Sequence, residues 1–485
     1  MDRGAHGARY GDARLSYYFQ ILFLIAHITV AVLAIGHALL YKRDPRSALG
    51  WIATCILFPI AGPLLYFFFG INRVRARARQ LMDTPDLPET GGDEPDGDSK
   101  NLPLEYSELA SIANAITGRP LLTGNSIYIL RNGEQAYPAM LDAINQAQTS
   151  VHLSTYIFKT DQTGKAFMAA LRRARERGVD VKVLIDGFGD FYSYPRASGQ
   201  LKKLHITVRR FLPLTLLPPS LYLNLRNHRK ILMIDSQIAF TGGMNIGDHH
   251  LVENSVVKHP VADLHFQLTG PIVRQLEEIF RHDWQFTTGE AIGRAFVPVP
   301  ASGRAVCRTI ADGPNFNVNK IMITLIGAVS AARRRVSIMT PYFLPPRELT
   351  GALQAAALRG VDVNIILPAR NNLFYLHRAT RNMLWEVLQH NVNVYYQPAP
   401  FSHAKVFIVD GHYLQIGSAN LDPRSLRLNF ELAVEIYDKE FGAGVEASFE
   451  EIRKRSRRIT LEQVDNRKLT TRLLDALFWL FSPYM

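Results

Sequence analysis

The chain has 485 residues, too many for one hydrophobic core, since single cores stop growing at roughly 250–300 residues. With 47% hydrophobic and 20% charged residues, the composition excludes a largely disordered protein and leaves room for lipid-embedded segments. The formal net charge of +12 favours a polyanionic partner, nucleic acid or an anionic bilayer. Two distant cysteines, Cys55 and Cys307, support neither a disulfide framework nor a thiolate metal site and fit a reducing compartment.

In chain order, two apolar runs come first, Tyr17 to Tyr41 and Ala48 to Phe69, each near the roughly 20 residues that cross a bilayer. Two transmembrane helices are predicted, forming a membrane anchor over residues 1–71. The first run is too long for a signal peptide, and no small-residue cleavage site follows before Lys42 and Arg43. Arg3, Arg9 and Arg14 before the helices and Arg73, Arg75, Arg77 and Arg79 after them outweigh Lys42, Arg43 and Arg46 in the loop. Both ends are therefore expected on the cytoplasmic side. Residues 72–103, which include TGGDEPDGDSK, have almost nothing to bury and predict a flexible acidic linker.

From Leu104 short β-branched runs alternate with helical segments, the pattern of an α/β architecture. RGVDVKVLID (Arg177 to Asp186) is repeated as RGVDVNIILP (Arg359 to Pro368), each after an Ala- and Leu-rich helix. Gly178 and Gly360 stand where those helices should stop. TYIF at Thr155 and TPYF at Thr340 are comparable strand ends.

Around His228 the sequence is NHRKILMIDSQIAFTGGMN, and around His403 it is SHAKVFIVDGHYLQIGSAN. Each holds His, Lys two later, Asp five beyond the Lys, Gly seven beyond the Asp and Asn three beyond that Gly. In a strand, residues i and i+2 face the same way, so His228 and Lys230 project together, as do His403 and Lys405. Asp235 and Asp410 should then enter hairpin turns. The returning strands carry Gly242 and Asn245 in one copy, and Gly417, Ser418 and Asn420 in the other. One His-x-Lys pair is ordinarily a surface pair; two copies with one downstream spacing are not coincidence.

A phosphodiester repels nucleophiles, so its cleavage needs neutralised oxygens, a nucleophile and an acid for the leaving alkoxide. Two lysines, two asparagines and two histidines supply that set: one imidazole can attack phosphorus while the other donates and later removes a proton. Lys230 and Lys405 do the work of a divalent ion, so neither metal nor cofactor is expected.

At these residues the chain resembles the phospholipase D superfamily, whose members carry two HxKxxxxD motifs in duplicated α/β halves with the active site between them. The likeness extends to NLRNHRK (Asn224 to Lys230), TGGMNIGD (Thr241 to Asp248) and GSANLDPRSLRLNFE (Gly417 to Glu431). With the N-terminal apolar runs and the RDP and GPLLYFFFG segments, it looks like the bacterial cardiolipin synthases. The resemblance implies two halves, residues 104–303 and 304–465, and a transfer between two phosphatidylglycerol molecules that releases glycerol, at the bacterial inner membrane with a cytoplasmic catalytic domain. His228, Lys230, Asp235, His403, Lys405 and Asp410 are the implied catalytic set, with Asn245, Ser418 and Asn420 on the substrate phosphate. An acidic partner is implied for each imidazole, Glu431 for His403 and Asp263 for His228, and Arg424 and Ser425 fall in the DxRS element. The chain departs from the family pattern at HPVAD before Asp263 and at Ser154, whereas Gly243 in place of the serine found at Ser418 is shared with many relatives and implies unequal half-sites. The alternative on the same fold is a phospholipase D-type hydrolase.

Other candidates fare worse. Asp248, His249 and His250 carry metal-ligating side chains, but adjacent histidines on a strand face opposite ways, which argues against a metal site. The basic run Arg453 to Arg458 suits a solvated helix face or bilayer contact better than nucleic acid. Apolar FLPLTLLPPSLYLNLR (Phe211 to Arg226) is expected to line the site mouth. KLTTRLLDALFWLFSPYM, within residues 466–485, reads as an amphipathic surface helix.

Overall fold

The computed structural model describes residues 4–42, 44–58, 60–71, 102, 104–214, 225–254, 256–293, 299–313 and 319–482. Within it the chain divides into two units, Met1–Arg77 and Ala78–Met485. All of the predicted linker except Leu102, and residues 215–224 of the apolar approach, lie outside the described residues.

The N-terminal unit opens on α1 (Gly4–Tyr41), whose Gln20–Tyr41 portion has 22 residues of mean hydropathy 2.2. At 1.5 Å per residue this spans about 33 Å, enough for a hydrocarbon core of roughly 30 Å. The second apolar run departs from expectation. Instead of one helix it forms α2 (Pro45–Leu57, 13 residues), a short helix Ala61–Leu65 and a π-helical turn Tyr66–Gly70. Asp44 caps α2 by accepting from the Ser47 amide at 3.1 Å, and Pro45 occupies its first position. Pro59 and Pro63 each withhold a backbone donor, which a continuous helix there would need. A 13-residue helix reaches only about 20 Å, so among the described residues one helix, α1, is long and apolar enough to cross. Ala38, Cys55 and Tyr66 are the buried centre of this unit, and the Tyr66 hydroxyl lies 2.8 Å from His37 Nδ1. A Cβ at Gly62 would fall 2.4 Å from the Thr54 carbonyl oxygen, so only glycine allows that close approach.

The second unit is built on a sheet that states the same order twice. Its first stretch supplies β1 (Leu122–Arg131), β2 (Ser150–Thr155), β3 (Asp180–Asp186), β4 (Thr207–Phe211), β5 (Ile231–Ile234), β6 (Ile238–Gly242), β7 (Val261–Ala262) and β8 (Leu264–Thr269), followed by helix α3 (Ile272–Thr288). The second supplies β9 (Ala305–Asp312), β10 (Arg335–Met339), β11 (Asp362–Pro368), helix α4 (Phe374–Leu388), β12 (Asn393–Gln397), β13 (Phe401–Ser402), β14 (Val406–Val409), β15 (Tyr413–Gly417), β16 (Glu431–Tyr437) and β17 (Arg457–Ile459), then helix α5 (Leu469–Leu480). Outward from the central antiparallel pair β1–β9, one side runs β8, β6, β5, β2, β3, β4 and the other β16, β15, β14, β10, β11, β12, with β17 at the far edge. The result is one 15-stranded mixed sheet.

The repeated RGVDV segments explain the parallel parts. The helices Gln162–Glu176 and Arg347–Leu358 stop at Gly178 (φ +91) and Gly360 (φ +92), a left-handed conformation that favours glycine, and the chain turns into β3 and β11. Those strands pair in parallel with β2 and β10. One buried cluster draws Ile231, Phe266 and Leu276 from the first stretch and Val406, Ile416 and Leu432 from the second, so apolar packing holds the two together at the seam.

Candidate active site

The two motif histidines stand just before β5 and β14, and each backbone is tied to the other stretch. The amide of His228 donates to the Phe430 carbonyl at 2.9 Å, and the Phe430 amide donates to Arg226 at 2.9 Å. In the mirror arrangement, the His403 amide donates to Ala262 at 2.7 Å, where β13 pairs with β7. Residues 430 and 262 immediately precede Glu431 and Asp263. Each histidine is thus delivered beside the carboxylate of the opposite stretch.

The side chains follow. His228 Nδ1 lies 3.2 Å from Glu431, and His403 Nδ1 lies 2.9 Å from Asp263 Oδ2. This reverses the expected pairing of Glu431 with His403 and Asp263 with His228. The physical reason is the backbone pairing across the seam, which sets each carboxylate beside the imidazole of the opposite stretch. Both carboxylates are fully buried, whereas 13% of the His228 and 12% of the His403 side chain stays exposed, leaving each ring accessible to substrate. A carboxylate on Nδ1 orients the ring so that Nε2 carries the chemistry.

The two carboxylates differ in support. Glu431 accepts from the Ser418 hydroxyl at 2.5 Å and from Asn429 Nδ2 at 3.1 Å. Burial acts against its charge, but His228, Lys230 and the Ser418 hydroxyl outweigh burial and hold it below the ordinary carboxylate value. Asp263 has fewer donors, including its neighbour's Leu264 amide at 2.8 Å, and burial pushes it up to about 6 against the Lys405 charge. Gly243, opposite Ser418, is where Asp263 fits: a Cβ there would stand 2.5 Å from Oδ1.

Lys230 and Lys405 are buried and each donates to the carbonyl of its own motif histidine at 2.6 Å. Lys405 Nζ also sits 3.0 Å from His403 Nδ1 and 3.1 Å from Nε2. Burial lowers Lys230 to about 7, with Glu431 opposing, and Lys405 to about 8, with Asp263 and Glu431 opposing. Burial is also the chief cause of lowering in both imidazoles. The Lys405, Lys230 and His228 charges then depress His403 further, while Glu431 partly restores His228. The imidazoles, the lysines and the two carboxylates act on one another as members of a single site.

Other expected residues take different places. Asp235 and Asp410 do not reach the histidines; they sit at the far ends of β5 and β14, in hairpin turns with φ of +52 and +54. Asp235 accepts from the amides of Gln148, Thr149 and Ser150 at 2.9, 2.7 and 2.9 Å. Asp410 accepts from those of Arg333, Arg334 and Arg335 at 2.9, 2.8 and 2.8 Å. In place of the expected catalytic part, both aspartates fasten the hairpin to the start of β2 or β10, because their donors are the amides of those strand starts and, for Asp235, also the Thr149 hydroxyl at 2.9 Å. The Ser418 hydroxyl is likewise spent on Glu431 and on the Leu432 amide at 3.0 Å, so it holds a carboxylate rather than a phosphate. Asn245 Oδ1 accepts from the Ile157 amide at 3.1 Å, and Asn420 Nδ2 donates to Ser425 at 3.2 Å, with Asn420 Oδ1 buried and unpaired. Asp248, His249 and His250 form a 3-10 turn rather than a strand, and Asp248 accepts from the Thr163 amide at 2.7 Å.

Sequence reasoning missed several groups. Tyr156 meets His228 edge-on with centroids 5.2 Å apart, and Tyr342 meets His403 at 6.2 Å. The matching TYIF and TPYF strand ends were the available signal. Arg226, two residues before His228, and Arg229, between His228 and Lys230, pair with buried Asp186 at 3.3 Å and with buried Asp283, and Asn227 bonds both acids. That network fixes the segment carrying His228. Its acids lie 40 or more residues away in sequence, and no spacing rule links them.

Comparison with known proteins gives the family. The family described as "Cardiolipin synthase, PLD-like domain" matches residues 140–284 and 325–453, and the "Phospholipase_D-nuclease N-terminal" family matches residues 29–70. The chain is 30% identical to "Probable cardiolipin synthase YwiE" of Bacillus subtilis (strain 168), covering 97% of this chain and 94% of that one. It is also 30% identical to "Major cardiolipin synthase ClsA" of the same organism, covering 96% and 98%. A crystal structure of phosphatidylserine synthase from Haemophilus influenzae Rd KW20 shares the fold, with a TM-score of 0.58 at 17% identity over 78% of this chain and 98% of that one. A doubled sheet order, two exchanged histidine–carboxylate pairs and full-length relatives at this identity lead to one conclusion: the chain belongs to the cardiolipin synthase family of the phospholipase D superfamily.

Proposed function

We propose that the protein transfers a phosphatidyl group from one phosphatidylglycerol to another. The observation that carries this reading is a pair of imidazoles, each backed by a buried carboxylate, around two buried lysines. Nε2 of one histidine attacks phosphorus, forming a P–N bond as the P–O bond to glycerol breaks. The other, protonated, gives its proton to the departing glycerol oxygen. A hydroxyl of the second phosphatidylglycerol then passes its proton to that histidine and attacks phosphorus, the P–N bond breaks, and cardiolipin leaves. By likeness within the superfamily His228 is assigned as nucleophile and His403 as acid and base. Lys230 and Lys405 offset the charge of the non-bridging oxygens, and Asn245 and Asn420 border the phosphate.

Helix α1 suits a membrane anchor. The broken second run, α2 with the segments through Gly70, is assigned as the return limb of a hairpin that leaves the catalytic unit on the cytoplasmic side. A covalent phosphatidyl-histidine can be resolved by water or by a lipid hydroxyl, and transfer wins only where the acceptor is held in line and water is kept out. Purified protein in phosphatidylglycerol vesicles is expected to release glycerol and cardiolipin in near-equal amounts with little phosphatidic acid. Phosphatidic acid as the main lipid product would make the enzyme a hydrolase and overturn the transfer reading.

A further inference from the structure

Helix α5 carries apolar side chains on both sides: Phe478 and Trp479 pack against the core, and its outward face is apolar as well. Its inward face carries Asp475, fully buried and bonded to Arg378 at 3.0 Å, to Arg381 at 2.6 and 2.8 Å and to Arg467 at 2.5 Å. Its outward face carries Leu469, Leu473, Leu477 and Leu480, exposed by 69, 62, 50 and 64%. These positions recur at i, i+4, i+8 and i+11, which is one stripe of an α-helix. A helix on an aqueous surface turns its apolar stripe to the core, so an outward leucine stripe held in place by a buried ionic cluster needs an apolar medium outside.

The stripe is not isolated. Phe478 packs edge-on against Phe374 at 5.6 Å, and Phe374 and Tyr375, at the start of α4, are themselves 57 and 39% exposed. Two residues before Phe374, Asn372 Oδ1 accepts from the Tyr342 hydroxyl at 2.9 Å, and the Tyr342 ring abuts His403. The apolar face therefore covers α5 and the start of α4, and the Asn372–Tyr342 hydrogen bond ties the start of α4 to the second half-site. Lys468 and Arg472 are exposed in the first turn of α5, which adds positive charge at the edge of the stripe.

We infer that the α4–α5 face is a bilayer contact: the leucine stripe enters the headgroup and acyl boundary of an anionic leaflet and sets the His403 side of the site against it. This rests on the lipid-substrate reading for its purpose, but not for its test. In full-length protein with Cys55→Ala and Cys307→Ala, an environment-sensitive fluorophore is placed at Leu473→Cys, at Leu477→Cys or, as control, at Glu176→Cys on an exposed helix of the first stretch. The protein is reconstituted in vesicles of phosphatidylglycerol and phosphatidylcholine brominated near the top of the acyl chains. Because an interfacial helix sits roughly 5–10 Å into the boundary, the probes at 473 and 477 should lose about half their emission to the bromines while the control does not. Absence of quenching at 473 and 477 overturns the contact. So does energy transfer between 473 probes on different chains at low protein-to-lipid ratio, which would make a second copy the occupant. Quenching reads depth without turnover, so it succeeds or fails independently of the transfer reaction. A Leu473→Glu, Leu477→Glu variant should raise the apparent KM for vesicle phosphatidylglycerol several-fold and leave turnover of a soluble short-chain analogue unchanged; an equal loss on both substrates overturns the contact.

Discussion

At the scale of single residues, the exchanged carboxylates are what sequence spacing gets wrong, and they give separable predictions. Asp263 stabilises the protonated His403 ring, so Asp263→Asn lowers that ring's affinity for a proton. Turnover should fall by about 10²–10⁴-fold at pH 7, the range associated with losing acid–base assistance, and recover in part as the pH is lowered. Glu431→Gln acts on His228 and should show no such recovery, since the nucleophile must be unprotonated. A pH profile of each variant checks this, and recovery in Glu431→Gln instead would exchange the two assigned roles. The lysines set the other limb. As pH rises past about 7 and then about 8, Lys230 and then Lys405 lose their charge in the free enzyme. The sign is therefore a fall in kcat/KM between pH 7 and 9. The limb for kcat should lie higher, because a bound phosphate anion favours the charged ammonium. Identical limbs for kcat and kcat/KM would count against phosphate contact by the lysines.

At the scale of elements, each motif is a hairpin whose two ends do different work. The near end presents His and Lys, and the far end is fastened through Asp235 or Asp410 to three backbone amides of a neighbouring strand start. Asp410→Ala should cost about 2 kcal/mol or more in stability, as expected when hydrogen bonds to a charged acceptor are lost, while kcat stays within about twofold. Urea unfolding and initial rates at a temperature where both proteins are folded check this; a large loss of kcat at full stability would return Asp410 to the chemistry. The hairpins, both RGVDV turns and the His-x-Lys pairing were legible because each depends on residues within ten positions of one another. The exchange of carboxylates was not, because Arg226–His228 meets Phe430 and Phe401–His403 meets Val261–Ala262 across more than 130 residues. The broken second apolar run had a visible cause in Pro59 and Pro63, which averaged hydropathy conceals. The parts taken by Ser418 and the motif aspartates were illegible for a further reason: a hydroxyl or carboxylate beside a phosphate site serves equally well as ligand or as brace, and only its partners distinguish the two.

At the scale of the whole molecule, every group assigned to the chemistry lies in the unit Ala78–Met485, and the long apolar helix lies in the unit Met1–Arg77. The second unit has its own continuous sheet and buried clusters, so it should fold without the first. The contribution of the proposed anchor is then one of concentration, since confining an enzyme to the surface that holds its substrate turns a bimolecular search into a local one. A chain beginning at residue 78 should turn over a soluble short-chain phosphatidylglycerol within about threefold of the full-length rate. On dilute vesicles it should fall by about tenfold or more, because the proposed interfacial contact through α5 is weaker than the proposed transmembrane anchor. The product ratio sharpens the comparison. Acceptor lipid is scarce around a detached unit and water is not, so the fraction of phosphatidyl-histidine resolved to phosphatidic acid should rise in the truncated protein. Measuring glycerol, cardiolipin and phosphatidic acid from both proteins on both substrates decides the matter. Loss of soluble-substrate turnover in a folded truncation would mean that the N-terminal unit contributes to the site itself, and an unchanged product ratio would mean that water is excluded by the catalytic unit alone.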